Sequence, residues 1–326
     1  MSGLTHIEWT DASWNPVTGC SKVSAGCKNC YAERYFKRPY PKRKFTDVST
    51  HPERLDWPLR WRGSKQAKAE GRPSRIFVNS MSDLFHESVP FDFMTAALLE
   101  MSLSGHTFQI LTKRPSRMQR FFREWDANVE ILAHDTWPSN DFYDRTIQTL
   151  ARSKMRLPIP NVWFGVSVED QKTADERIPI LLQTPAAVRW VSYEPALGPV
   201  DFEKYVNREI GSGQSAGDSR LPTSDCRLDW IVAGGESGPR ARPPHPDWFR
   251  TVRDQCQAAG VPFFFKQWGE WEPVEPKDRL KNWPQKLFTW PDETVSYRVG
   301  KHEAGRLLDG REWNEFPQMQ EAGNRK

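Results

Sequence analysis

Three cysteines fall within eleven residues, in Asn15-Pro-Val-Thr-Gly-Cys20-Ser-Lys-Val-Ser-Ala-Gly-Cys27-Lys-Asn-Cys30-Tyr-Ala-Glu33. Six residues separate Cys20 from Cys27, and two separate Cys27 from Cys30. A Cys-x-x-Cys pair can chelate one metal centre, and a third thiolate from a nearby glycine-bearing loop can complete a face of it. Three thiolates on a [4Fe-4S] cluster leave one iron without a protein ligand, and an open iron can activate a substrate or cofactor. Structural zinc is the competing reading, and it normally wants four protein ligands. Cys226 could supply the fourth, whereas Cys256 shares a helical face with Trp248 and Val252 and reads as a buried, inert thiol. Unliganded thiols are the third reading. Five cysteines in 326 residues do not suggest a disulfide scaffold.

The elements that must position these thiols are legible as apolar runs of 4–8 residues with polar or turn boundaries. They lie at 75–79, 107–112, 162–168, 188–193, 230–233 and 261–266, with a shorter candidate at 7–9. Such runs suit parallel strands buried on both faces. Helical patterns fall between them. Pro90 precedes a face of Phe91, Met94, Leu98 and Met101. Asp170 can cap a helix carrying Ile178, Leu181 and Leu182 that Pro179 must kink or shorten. Pro246 suits a first turn ahead of Trp248, Val252 and Cys256, and Gly260 ends that helix. Alternating strands and helices make the fold α/β, and six such units suit a partial (β/α)6 barrel. The barrel domain is expected over 1–269, with a helical insertion near 125–160 and an exposed Gly/Ser/Asp-rich loop near 207–229. A small β appendage is expected over 270–326, with strands at 289–299 and 306–313 and Asp309-Gly310 as a turn.

Charge is unevenly placed. Residues 28–75 hold fourteen Lys and Arg against five Asp and Glu, a local +9 in a chain of net +4, so the remainder carries −5. Tyr31, Tyr35, Phe36, Tyr40, Phe45, Trp57 and Trp61 are interleaved with that stretch. A cationic surface with stacking rings suits phosphates and unstacked bases, and a solvated basic face with its rings turned inward is the equal alternative. Mean hydropathy is −0.72, yet fifteen Trp and eighteen Phe supply enough apolar bulk for a core. No apolar run approaches the ~18 residues of a membrane span, and 1–11 has neither a basic n-region nor an apolar h-region. A soluble cytoplasmic protein with no membrane partner is expected.

The segments Trp14-Asn-Pro-Val-Thr-Gly-Cys20, Gly26-Cys-Lys-Asn-Cys-Tyr-Ala-Glu33, Gly234-Gly-Glu-Ser-Gly238 and Gly305-Arg-Leu-Leu-Asp-Gly-Arg-Glu-Trp313 resemble a family of bacterial and phage proteins. Its members are often encoded beside a three-Cys-motif partner protein. That family in turn resembles a divergent branch of the radical S-adenosylmethionine (SAM) enzymes, with spore photoproduct lyase among the more similar relatives. The resemblance implies a partial (β/α)6 barrel, a [4Fe-4S] cluster on Cys20, Cys27 and Cys30, and SAM bound at the open iron. It also implies an electron donor, whose reductive cleavage of SAM yields a 5′-deoxyadenosyl radical. The usual spacing in those enzymes is three residues then two, whereas here it is six then two. Their Gly-Gly-Glu at the second strand is replaced by Asn79-Ser-Met-Ser-Asp83, so Asn79, Ser80, Ser82 and Asp83 become the candidate SAM partners there. Ile231, Gly234, Gly235 and Glu236 are similar to the family's adenine-contact region.

Polar residues recur where the strands should finish: Asn79 and Asp83, Thr112 and Lys113, Ser167 and Glu169, Glu194, Glu236, Lys266 and Gln267. In a parallel barrel those ends converge at one mouth. If SAM binds there, Asp83 and Glu169 could meet its ammonium, and Lys113 and Ser167 its carboxylate. Arg240 and Arg242, with Lys266 and Gln267, are candidate substrate contacts. Cys226, Tyr193 and Tyr31 are nominated as hydrogen-atom donors. Three function classes follow: a radical-SAM-type enzyme repairing or modifying nucleic acid, DNA before RNA; a zinc-stabilised nucleic-acid-binding protein without catalysis; and a hydrolase or nuclease using Asp83, Glu169, Glu194 and Glu236 for divalent cations.

Overall fold

The buried apolar runs form one parallel sheet because each is followed by a helix that returns the chain to the same edge. The computed structural model describes residues 2–37, 43–134, 156–207, 227–274 and 286–318. The strands in chain order are β1 (Gly3–Leu4), β2 (Ala12–Trp14), β3 (Val17–Thr18), β4 (Ser49–Thr50), β5 (Arg75–Val78), β6 (Thr107–Thr112), β7 (Val162–Val168), β8 (Val188–Tyr193), β9 (Trp230–Gly234) and β10 (Phe263–Gln267). The main sheet has the order β1-β2-β5-β6-β7-β8-β9-β10, parallel from β2 onward, with β1 antiparallel at the edge. Curled into a half-barrel, it is the partial barrel expected from the alternation. β3 and β4 form a separate two-stranded ribbon beside β2.

The helices cover the convex face. Phe91–Leu103 follows β5, Pro115–Arg123 and Trp125–His134 follow β6, Gln171–Leu182 follows β7, and Pro246–Ala259 follows β9. Asp170 and Thr173 form a capping box, and the helix they start runs through Pro179 to Leu182. Pro246–Ala259 closes at Gly260, which takes the left-handed conformation of a C-cap at φ 62°. Of the insertion expected near 125–160, the helix Trp125–His134 is present, and 135–155 lie outside the described residues. No helix among the described residues is long and apolar enough to cross a membrane.

The first parallel strand, β2, is displaced from its expected position. It is Ala12–Trp14, not 7–9, because Asp11 locks the chain to β5 one residue earlier. Its N–H donates to the Arg75 carbonyl (2.9 Å), and its carboxylate accepts from the Arg75 N–H (2.6 Å) and both Arg72 terminal nitrogens (2.7 and 3.0 Å). Trp9 is left in a turn and drops into the hollow of the half-barrel.

Alternation along each strand sorts the sheet into layers. Inward positions near the strand starts carry Phe77, Trp163, Trp190, Trp230 and Phe264, which with Trp9 make one aromatic cluster. Trp9 meets Trp190 at 5.2 Å and Phe77 at 4.8 Å between ring centroids. Towards the strand ends the same inward rows change to Asn79, Ser167, Ser192 and Lys266, which line a cavity. Outward positions such as Ile76, Phe164, Val191 and Phe265 pack beneath the helices.

The C-terminal segment differs in part from expectation. Strands β11 (Trp271–Val274), β12 (Leu287–Thr289) and β13 (Val295–Arg298) form a three-stranded antiparallel sheet. Asp309 and Gly310 do make the turn, both at positive φ, between bridged Leu308 and Arg311. That turn does not join the small sheet, because Arg250 and Arg253 of helix Pro246–Ala259 hold Asp309. The chain then returns along β10: Phe265 N–H donates to Trp313 O (3.0 Å), and Glu315 N–H to Phe263 O (3.2 Å). Phe316 meets Trp230 and Phe264, with the Arg75 guanidinium 3.5 Å above its ring.

Two stability predictions follow. A Cβ at Gly165 would stand 2.5 Å from the indole of Trp190, which is pinned by Trp9 and Trp230, so Gly165→Ala should cost about 1–3 kcal/mol in denaturant unfolding. Burial would raise the Asp11 pKa, but the hydrogen bonds from Arg72 and the Arg75 N–H together bring it below 3.8. Its contribution is therefore complete above pH ~4 and lost as pH falls further. Asp11→Asn should lower stability at pH 7 by about 1–3 kcal/mol and flatten the acid limb of a stability–pH profile.

Candidate functional site

A cavity of ≈ 550 Å³ opens at the C-terminal ends of the parallel strands, floored by Trp9, Phe77 and Leu111. Cys20, Cys27 and Cys30 all line it, and all three are free thiols of intermediate burial. Asn79, Ser80, Ser82, Asp83, Lys113, Ser167, Gly235, Glu236, Lys266, Gln267 and Tyr31 line the same space. The residues come from four loops and the ends of β7 and β10, widely separated in sequence, and the barrel geometry brings them together.

The cysteine loop is held from both sides by the loop after β6. Lys113 pairs through Nζ with Glu169, whose Oε1 also accepts from Ser24 Oγ (2.8 Å) and faces Arg177 Nη1 (3.4 Å). Ser24 Oγ in turn lies 3.8 Å from Cys27 Sγ. Arg114 Nη2 donates to the Ser21 carbonyl (3.0 Å) and hydroxyl (2.8 Å), beside Cys20. His86 accepts the Ser88 N–H at Nδ1, which leaves its Nε2 proton for Ser21 Oγ at 2.9 Å. The far end is tied by Asn29 Nδ2, which donates to Glu236 Oε2 (3.1 Å) and Arg240 O (2.8 Å), and by Arg242 Nη2, which donates to Ala25 O (3.1 Å). Gly26 packs so closely on Glu169 that a Cβ there would be 2.6 Å from Oε1.

The carboxylates at the mouth are each already engaged. Asp83 accepts from Thr112 Oγ1, the Lys113 N–H and the Phe85 N–H. Glu169 is fully buried behind the cysteine loop, outside the cavity lining. Glu194 is paired with Lys266 (2.8 Å) and Glu236 with Arg242 (2.7 Å). Burial would raise the Glu236 pKa, but Arg242 and Asn29 hold it below the usual carboxylate value. The Cys20 thiol is pushed up to about 11 by burial and then by Asp83, against the opposing pull of Arg114. Three polar atoms stay unmatched in buried side chains that line the cavity, Trp9 Nε1, Asn79 Nδ2 and Gln267 Oε1. Asn79 also sits at φ 61°, an uncommon conformation for a residue with a side chain.

Other sequence-selected residues lie elsewhere. Tyr193 belongs to the outward row of β8, packs on Phe202 and Phe249, and gives its hydroxyl proton to Gly198 O, so it faces the helices and not the cavity. Gly234 ends β9, and Arg240 is exposed. Cys256 is buried in the core beneath its helix, where burial pushes its thiol up. Cys226 and Tyr40 lie outside the described residues. The rings of the basic stretch mostly pack together: Trp57 on Trp61, Phe36 on Tyr35 and Phe45. Tyr31 stays exposed. Ser24, Asn29 and Arg114 were invisible as site residues in the sequence because their partners lie more than 90 positions away, and Arg177 because its partner Glu169 read as a cofactor contact. Gly26 was the available signal, a glycine set directly before a thiol.

Cys20, Cys27 and Cys30 are the cavity residues that could hold a metal or a cluster. Four thiolates around zinc, with bonds of ~2.3 Å, would stand ~3.8 Å apart. Among the described residues, the sole grouping of possible ligand atoms all within 4.8 Å is His245, Asp247 and Asp292, not the cysteines. Both ring nitrogens of His245 are already engaged, Nδ1 by the Asp247 N–H and Nε2 by Asp292.

Residues 4–317 match the family described as "protein of unknown function (DUF5131)", and the chain belongs to that family. No curated protein and no solved structure matches it.

Removing Glu169 would strand Lys113 and Arg177 and release Ser24. Glu169→Ala should cost about 3–5 kcal/mol in denaturant unfolding and speed native-state labelling of Cys27 by a thiol reagent. Unchanged labelling would show that Glu169 does not hold the loop.

Proposed function

We propose that this protein is a radical-SAM-type iron–sulfur enzyme that acts on nucleic acid, in DNA repair or modification. The observation that carries the reading is the meeting of Cys20, Cys27 and Cys30 with polar strand-end residues at one cavity, over an aromatic floor. Cys20, Cys27 and Cys30 would hold a [4Fe-4S] cluster, which with SAM at its open iron supplies a 5′-deoxyadenosyl radical for hydrogen-atom abstraction.

The chain's own residues bind, orient and keep water out. Asn79 offers an amide donor fixed in direction, since its Oδ1 already accepts the Val17 N–H (3.3 Å). Such a donor suits a carboxylate or carbonyl of the cofactor. Ser80 and Ser82 flank it with hydroxyls, spent on Asn15 Oδ1 and Val17 O respectively. Asp83 and Glu169 act through the chain, orienting Lys113 and the cysteine loop. The floor of Trp9, Phe77 and Leu111 excludes water from below. Lys28 and Arg240 are exposed at the rim, where cations suit phosphates.

A divalent-metal hydrolase is disfavoured by the carboxylates, because Glu169, Glu194 and Glu236 are each neutralised by a Lys or Arg partner. A zinc-stabilised binding protein is disfavoured because structural zinc wants four protein ligands, and the cavity brings three thiols together. Partner proteins, including one of the three-Cys-motif type, and the electron donor belong to the same proposal.

Protein purified without oxygen should be brown, with about four irons per chain, and should release 5′-deoxyadenosine when given SAM and a reductant. Cys20→Ala, Cys27→Ala and Cys30→Ala should each abolish the colour, while Cys226→Ala should retain it. Colourless protein with one zinc per chain would overturn the reading.

A further inference from the structure

Gln267 is buried at 3% exposure, yet one end of its amide has no partner. The amide orientation is set by chemistry: Nε2 donates to Ser237 Oγ at 2.8 Å and faces Glu194 Oε1 at 3.4 Å. Oε1 is therefore the unmatched atom, an acceptor in a side chain that lines the cavity. A buried acceptor of this kind is satisfied by a ligand N–H or O–H, or by water. Lys266 beside it holds Glu194 through two contacts of 2.8 and 2.9 Å, which fixes the carboxylate against which the amide is oriented.

Tyr31 lines the same cavity. Its hydroxyl donates to the Ser80 carbonyl, and the residue remains 53% exposed. A ring tethered at its tip on an exposed residue gives up little freedom when it stacks. Among the described aromatic residues of the basic stretch, the others are half-buried by mutual packing or against the core.

We propose that Tyr31 and Gln267 form a subsite for one unpaired nucleobase. Tyr31 stacks on the face of the base, and Gln267 Oε1 accepts a hydrogen bond from an N–H on its edge. The inference rests on the nucleic-acid reading above and narrows it: a single extruded base enters the cavity, and the paired duplex stays at the rim near Lys28 and Arg240.

The test uses three DNA duplexes, fully paired, with one bulged 2-aminopurine, and with one bulged abasic site. Wild-type protein, purified without oxygen, should prefer the 2-aminopurine bulge over the other two and quench its fluorescence. Tyr31→Leu should lower that preference about tenfold or more, and Tyr31→Phe should keep it. Gln267→Met should lower the preference with little effect on the fully paired duplex. Thermal unfolding of each variant checks that the fold is intact. If Tyr31→Leu and Gln267→Met retain the full preference, the subsite is overturned and nucleic-acid binding stands. If the wild-type protein binds none of the duplexes, the nucleic-acid reading fails and the subsite with it.

Discussion

The site depends on one buried carboxylate. Glu169 directly follows β7 with no exposure to solvent, and an isolated charge there would be strongly unfavourable. It is tolerated because Lys113 and Arg177 bring cations to it and Ser24 donates a hydroxyl. The contacts join three parts of the chain: the loop after β6, the helix after β7, and the cysteine loop. The cysteine loop has little secondary structure of its own, a single 3-10 turn at Ala25–Cys27 and a short helix from Tyr31. Its conformation is imposed from the sheet through this carboxylate, and through Arg114 on the other side.

The sheet itself is organised by the two-residue period of its strands. On β7 the inward sequence is Trp163, Gly165, Ser167, and on β8 it is Val188, Trp190, Ser192. Bulk comes first and hydroxyls last, so a hollow that is apolar at one end becomes polar at the other. Gly165 is the position where a neighbour's indole occupies the space a side chain would take. An aromatic floor under a polar mouth gives the cavity a low-dielectric base, which strengthens the electrostatic contacts above it.

Most of the strands were legible in the sequence because buried parallel strands are short apolar runs, and 107–112, 162–168 and 188–193 match the observed β6, β7 and β8. The first parallel strand was misplaced because Ile7–Trp9 and Ala12–Trp14 both alternate. The choice between them is made by Asp11 gripping Arg72 and Arg75, more than 60 residues away. Strand-end residues such as Asn79, Lys113 and Gln267 could be collected by position alone. Which of them point into the cavity could not, because that depends on partners. Glu169 and Lys113 read as two independent cofactor contacts, and in three dimensions they satisfy one another. The aromatic residues of the basic stretch read as a row of equal candidates, and packing leaves Tyr31 exposed.

The open side of the half-barrel is finished by chain that is made well after β10. Residues 313–316 lie along β10, and Phe316 slots against Trp230 and Phe264. During synthesis, β10 and the tryptophan-lined hollow therefore emerge from the ribosome some fifty residues before their cover does. At the ~5–20 residues per second of translation, the nascent chain carries an uncovered strand edge beside exposed indoles for several seconds. A chaperone or a partner chain arriving in that interval would meet a surface that the finished molecule conceals.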